Sequence, residues 1–223
     1  MQAAARQPET QYGLSEVLSR AILLGATTLH EAQNGAGALD CEIKPIDPAM
    51  KLAGPAFTIS AQPGDNLVLH YAITKAPPGS VLVIHTHGDT RTGMCGDILA
   101  DAARHRGIAG LVTDGAVRDV DGMIRLGFPV FAKRISVGRP QKCRAGEVGL
   151  PIRCGGADVN HGDIIVADRD GVVVIAAGEL RDVMHKAERR NAMEERLRDE
   201  LAKGRSTLEL MGLGEILKQQ GYA

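Results

Sequence analysis

The chain has 223 residues, with 26 Lys and Arg against 27 Asp and Glu and a formal net charge of −1. That balance excludes a globally basic nucleic-acid binder, and no apolar run approaches the ~20 residues of a membrane-spanning helix. Glycine is frequent (27 residues) and aromatics are scarce (3 Phe, 3 Tyr, no Trp). The core must therefore be built from Val, Ile, Leu, Ala and Met, which suits a Val/Ile-rich sheet.

Leu14, Val17, Leu18, Ala21 and Ile22 form a helical stripe that predicts a helix over Leu14 to Leu24. A strand is expected over Ala53 to Ala61, closed by the Pro63-Gly64 turn signal. Asp65 is placed to cap a helix running to Lys75, which Pro77-Pro78-Gly79 stops. Ser80 to Ile84 is a continuous apolar run, the mark of a strand covered on both faces. A Gly-punctuated loop (His85 to Gly96) leads to a helix from Asp97 to about Arg106. Next come a strand at Gly110 to Thr113, a turn at Asp114-Gly115, and a short helix from Asp119 to Leu126 ended by Gly127. Strands alone follow: Pro129 to Ser136, Asp163 to Ala167 and Gly171 to Ile175. From Gly178 the pattern is helical to about Lys203, with a further helix from Thr207 to Gln219. The expected architecture is one α/β domain over residues 1–223 with strands on several sides, residues 178–223 forming a C-terminal helical arm.

The opening residues, MQAAARQPETQYG, hold no apolar signal-like stretch. Cys41, Cys95, Cys143 and Cys154 show neither C-x-x-C pairing nor metal-finger spacing. Reduced thiols of a cytoplasmic protein are expected.

Two strand-to-helix junctions carry the chemistry. One runs from Gly93 through Gly96 and Asp97 to Leu99; the other is Asp114-Gly-Ala-Val-Arg118-Asp119. If both strands are parallel in one sheet, their carboxyl ends open on the same edge, where such sheets bind ligands. The N–H groups of Gly96, Asp97, Ile98 and Leu99 then sit at a helix start suited to an anion. Arg118 offers a planar fork for a carboxylate or developing oxyanion. Asp97 and Asp119 are hard oxygen donors fit for Mg²⁺ or Mn²⁺. Taken one at a time, each Asp also reads as an ordinary helix cap and Arg118-Asp119 as a surface ion pair.

In the C-terminal helix Glu194 falls in the apolar stripe of Leu180, Ala187 and Leu201. Either the helix is solvated there, or Glu194 reaches a polar site on another subunit, since an unpaired buried charge is costly. Glu31 is a similar, less supported candidate. His85 and His87 alternate at a strand end and are expected on one face, like a His-x-His zinc pair. Amidohydrolase-type sites that use such a pair need a full barrel and further His ligands far downstream, and a chain of 223 residues with three parallel-type strands evident disfavours that class. His30, His70, His105, His161 and His185 show no ligand spacing.

The runs GDILADAARHRG (Gly96 to Gly107) and GLVTDGAVRD (Gly110 to Asp119) resemble the class II pyruvate aldolases. These cleave 4-hydroxy-4-methyl-2-oxoglutarate and 4-carboxy-4-hydroxy-2-oxoadipate, and the family also includes the regulator of ribonuclease E activity. The resemblance extends from Thr28–Ala32 through Pro63–Asn66 to Gly162–Asp168 and Gly171–Ile175. It implies a swivelling β/β/α-type core with layered sheets. It also implies direct metal binding by Asp119 and binding through water by Asp97, with the Gly96–Leu99 amides and Arg118 on the pyruvyl group. Glu194 would be the acidic residue from the adjoining subunit of a trimer or hexamer, and Glu31 a second acidic site residue. The regulators lack the Arg-Asp pair, so catalysis is expected over regulation, with oxaloacetate decarboxylation as a side activity. No Schiff-base lysine is required, which leaves Lys75 and Lys133 as bystanders. A methyltransferase would need a Gly-rich loop after a first strand, and the N-terminal region has none. The polar run from His85 to Thr92 departs from the family pattern and leaves the distal substrate contacts open.

Overall fold

The structure, a computed structural model, describes residues 13–222. Helix α1 (Leu14–Ala32) is followed by β1 (Lys44–Pro45), β2 (Leu52–Ser60), α2 (Leu67–Lys75), β3 (Val81–His85) and β4 (Gly93–Cys95). Then come α3 (Asp97–His105), β5 (Gly110–Val117), α4 (Val120–Leu126) and β6 (Val130–Ile135). Short strands β7 (Glu147–Val148), β8 (Ile152–Cys154) and β9 (Ala157–Val159) precede β10 (Ile164–Asp168) and β11 (Gly171–Ile175). The chain ends in α5 (Leu180–Ala202), α6 (Thr207–Leu210) and α7 (Gly214–Gln219), with a 3₁₀ turn at Ala177–Glu179 before α5.

The main sheet runs in the order β1-β6-β5-β3-β2-β10-β11. Strands β2, β3, β5 and β6 are mutually parallel, and β10 and β11 continue the sheet antiparallel. The segment before β1 joins the two ends. Leu39 N–H donates to Val172 O and Val174 N–H to Gly37 O, while Lys44 and Pro45 pair with β6. The sheet is thereby almost closed into a barrel.

The two-residue alternation of strands sorts the side chains into layers. Val81 and Val83 point into the barrel with Phe131, Ile165 and Val172, whereas Leu82 and Ile84 point outward under α2, α3 and α4. Ile164, Val166, Val173 and Ile175 face α1 and α5 on the other side. The continuous apolar run at Val81 to Ile84 is thus buried on both faces, each full burial contributing about 1.5–3 kcal/mol.

Four sequence expectations need correction. The helix expected to stop at Leu24 breaks at Gly25 (φ 84°, ψ 158°) but resumes, because Asp168 accepts from Ala26 N–H at 2.8 Å and so caps the second segment. Asp114-Gly115 is not a turn. β5 continues through it with a bulge, because the Asp114 carboxylate is taken by Thr86 N–H (2.8 Å) and His85 (2.6 Å) of the neighbouring segment. A turn signal there loses to a tertiary partner. The helix expected from Thr207 to Gln219 is two short ones, parted at Gly212 (φ 65°), where no core lies beneath to hold a longer helix. Finally, His87 lies beyond the strand end with φ 53°, so it does not share a strand face with His85.

Candidate active site

A cavity of about 250 Å³ opens where three strand-to-helix junctions converge, at the carboxyl ends of the parallel strands. Asn66 and His70 come from the start of α2, Gly96 to Leu99 from the start of α3, and Arg118 with Asp119 from the link between β5 and α4. Gly93 and Lys142 complete the wall. The structure therefore brings Gly93, Gly96 to Leu99, Arg118 and Asp119 together around one cavity, while Asp114, at the start of the second junction, turns to His85 and Thr86 instead.

Asp119 is the decisive residue. It occupies the N-cap of α4, yet its backbone is left-handed (φ 56°) and its side chain makes no capping bond. A left-handed non-glycine residue is uncommon, and a capping aspartate that does not cap leaves its carboxylate uncommitted. Arg118 Nε stands 3.3 Å from Asp119 Oδ2, a loose pair with both side chains partly exposed. Arg118 N–H donates to Cys95 O at 2.9 Å, which ties β5 to β4 behind it. Asp97, the first residue of α3, accepts from Ile98 N–H at its Oδ1 (2.8 Å) and from no other group among the described residues.

Two glycines let the junctions interlock. A Cβ on Gly96 would collide with the Asp119 carboxylate, and one on Gly122 would stand 2.7 Å from Asp97 Cβ and Oδ2. Each carboxylate thus lies against the helix that carries the other junction. Cys95 lies buried behind them. Burial, with the negative charge of Asp119 beside it, pushes its thiol up to about 12, so it stays protonated and is no nucleophile.

Asn66, His70, Lys142 and Gly122 were not anticipated as site residues. Asn66 is 3% exposed; its Nδ2 donates to Met94 O at 2.9 Å, while its Oδ1 has no partner. Burial, then the nearby Lys142 charge, lowers the His70 pKa and favours the neutral ring. The i,i+4 spacing of Asn66 and His70 on one face of α2 was the available signal. Lys142 comes from a loop far along the chain and left none.

Glu31 and Glu194 do not line the cavity. They meet each other instead through Arg190, whose Nε is 2.5 Å from Glu31 Oε2 and 3.1 Å from Glu194 Oε1. Arg198 adds a contact to Glu194 at 3.5 Å. Burial along α5 stops at Ala187, so within one protomer the stripe around Glu194 is solvated.

The carboxylate pair fits a divalent ion of the Mg²⁺ kind. Such ions take one or two carboxylates and keep several waters, and Gly96 and Gly122 let the two carboxylates pack close against the facing junctions. Among the described residues no group of three or more His, Cys, Asp or Glu has a metal-holding arrangement, so water and ligand oxygens would complete the shell.

The family described as RraA-like, Aldolase/RraA, matches residues 26–174. The chain belongs to the RraA-like family. A Halalkalibacterium halodurans relative named "Putative 4-hydroxy-4-methyl-2-oxoglutarate aldolase" is 38% identical over 169 residues, 76% of this chain and 80% of its own. The crystal structure of an uncharacterized Pseudomonas syringae protein superposes with a TM-score of 0.78 at 30% identity, covering 93% of this chain and 98% of that one. The RNA-processing inhibitor RraA of Thermus thermophilis gives a TM-score of 0.62 at 28% identity, over 67% of this chain and 90% of that one. The nearly closed sheet with its C-terminal helix is the RraA-like fold. Among the described residues no helix is long and apolar enough to cross a membrane. All four cysteines are free.

Proposed function

We propose that this RraA-like chain is a metal-dependent pyruvate aldolase, cleaving a 4-hydroxy-2-oxo di- or tricarboxylic acid to pyruvate and a second oxo acid. The observation that carries the reading is the uncommitted Asp119 carboxylate beside Arg118 in a cavity that also holds Asp97 and a helix start. The Halalkalibacterium relative's name supports the reaction class.

Asp119 would hold Mg²⁺ or Mn²⁺ directly and Asp97 would hold it through water. When bound, the ion supplies Lewis-acid polarisation of the C2 carbonyl. The first N–H groups of α3 and the Arg118 guanidinium grip the C1 carboxylate and C2 oxygen of the substrate. As C3–C4 breaks, its electron pair moves toward the C2 oxygen, and Arg118 faces the charge that develops there. The C4 hydroxyl gives its proton to a water ordered by the acidic residues and becomes the second oxo group. Protonation at C3 then yields pyruvate. Oxaloacetate decarboxylation passes through the same enolate and is the expected side activity.

The arm from residue 178 onward would reach a neighbouring subunit of a trimer or hexamer, carrying Glu194 to its cavity, with Glu31 as a further acidic group. Free thiols suit a cytoplasmic location. The test is pyruvate release from oxaloacetate and a panel of 4-hydroxy-2-oxo acids. EDTA should abolish it and Mg²⁺ or Mn²⁺ restore it. Arg118→Ala should lower kcat/KM by about 10²–10³, the size seen when an oxyanion donor is removed. Metal-independent turnover, or full activity in Arg118→Ala, would sink the mechanism. Capture of ribonuclease E without turnover would favour the regulatory role of the RraA relatives.

A further inference from the structure

The polar run after β3 is not absorbed by the reaction above. His85 ends β3, and its Nδ1 is 2.6 Å from Asp114 Oδ2. Asp114 is itself fixed by Thr86 N–H and by the Thr86 hydroxyl (3.0 Å). His87, two residues on, has its Nε2 3.0 Å from Ser60 Oγ at the end of β2. Residues two apart on a strand are separated by about 7 Å. The left-handed backbone at His87 (φ 53°) instead folds its ring back, and the two ring centroids lie 4.3 Å apart at 56°. A non-glycine residue in that conformation persists where its surroundings over-determine it.

Each imidazole therefore has one nitrogen tied to an oxygen partner and, among the described residues, no hydrogen-bond partner on the other. His85 keeps Nε2 and His87 keeps Nδ1. A ring nitrogen held by a carboxylate or hydroxyl is the outer support that metal-ligating histidines carry. His85 opens on a depression of about 280 Å³ and His87 on one of about 470 Å³, and Gly88 borders both. Two cations, Lys133 and Arg153, line the depression beside His85; Lys133 is matched by Asp40 at 2.6 Å and Glu42 at 3.1 Å, and Arg153 pairs with Asp158 at 3.4 Å.

We infer that His85 and His87, buttressed by Asp114 and Ser60, form a second metal site that takes a borderline divalent transition ion of the Zn²⁺ or Cu²⁺ class. Its nitrogen donors select a different ion from the all-oxygen Asp97 and Asp119 pair. It is not an amidohydrolase centre, since two protein ligands leave the remaining positions to water. An ion there would pin the 86–92 loop that runs directly into Gly93 in the wall of the larger cavity.

Zn²⁺ titration of the full chain in excess Mg²⁺ should show one site per chain. His85→Ala and His87→Ala should each weaken it at least tenfold, and Asp114→Asn about tenfold, as losses of ligand support do. Asp97→Asn should leave it unchanged. Cu²⁺ in the same site should show electron-paramagnetic splitting from two nitrogens, reduced to one in either His variant. Should a variant misfold, diethylpyrocarbonate labelling of the unaltered chain decides. Zn²⁺ should protect His85 and His87 and not the other five histidines. Binding indifferent to both substitutions, splitting without nitrogen, or protection spread over all histidines would overturn the site. None of these readouts depends on pyruvate release, so the outcome is separate from that of the aldolase reading.

Discussion

Asp65 and Asp119 both precede a helix at the carboxyl end of the parallel sheet, and they have opposite fates. Asp65 is fully buried and fully used. It accepts from Leu67 N–H at 2.9 Å and from the N–H groups of Cys143 and Arg144 at 2.8 and 2.9 Å. Burial pushes its carboxyl up, but these donors, with the Cys143 thiol, outweigh burial and hold it at about 2. Asp119 is exposed to the cavity, lacks even the capping bond its position offers, and pairs loosely with Arg118 at 3.3 Å. The same residue type at the same kind of junction is a fastener in one place and, in the proposed reading, a binding group in the other. What separates them is whether a distant loop arrives to donate hydrogen bonds.

Substitutions should separate the two roles cleanly. The largest effect is expected at Asp119. Asp119→Asn should cut metal-dependent pyruvate release by at least a hundredfold while the melting temperature stays within about 2 °C, since no buried partner is lost. A matching fall in stability would erase the contrast. Asp65→Ala should do the reverse. It strands three N–H groups, at a cost of about 3 kcal/mol, and should lower the melting temperature by roughly 6–12 °C. The folded fraction should lose less than tenfold in kcat/KM.

The acid limb of stability sharpens the same point. A carboxyl whose folded pKa lies near 2, below its ordinary 3.8, stabilises the fold above pH 3.8, and that contribution disappears as pH falls toward 2. Denaturant unfolding of Asp65→Asn should show a flatter dependence between about pH 4 and pH 2 than the unaltered chain.

Gly122→Ala comes next. The added Cβ meets Asp97 Cβ at 2.7 Å, so α3 and α4 must shift apart, lowering activity about tenfold and costing about 1–3 kcal/mol of stability through overpacking. The smallest change in stability belongs to Glu194→Gln, which removes only partly exposed ion pairs, below about 1 kcal/mol. We expect it nonetheless to lower pyruvate release about tenfold, through a neighbouring subunit's cavity. Unchanged release would remove Glu194 from the site.

Much of this was legible in the sequence. The apolar run at Val81 to Ile84 announced a doubly covered strand, and the repeated strand-Gly/Asp-helix grammar placed Asp97, Arg118 and Asp119 on one sheet edge. Such signals are local: periodicity, turn residues and charge at helix starts are written within a few positions of where they act. The Asp114-Gly115 turn, the fold-back of His87 and the fate of Asp65 were not legible. Each depends on a partner from a separate segment: Thr86 and His85 for Asp114, Ser60 for His87, and Cys143 with Arg144 for Asp65. Residue types and local periods determined the elements and named the reactive side chains. Only the tertiary structure decided which carboxylates were consumed by hydrogen bonds and which remained for chemistry, because a donor's arrival across more than 70 residues leaves no trace at the acceptor's own position.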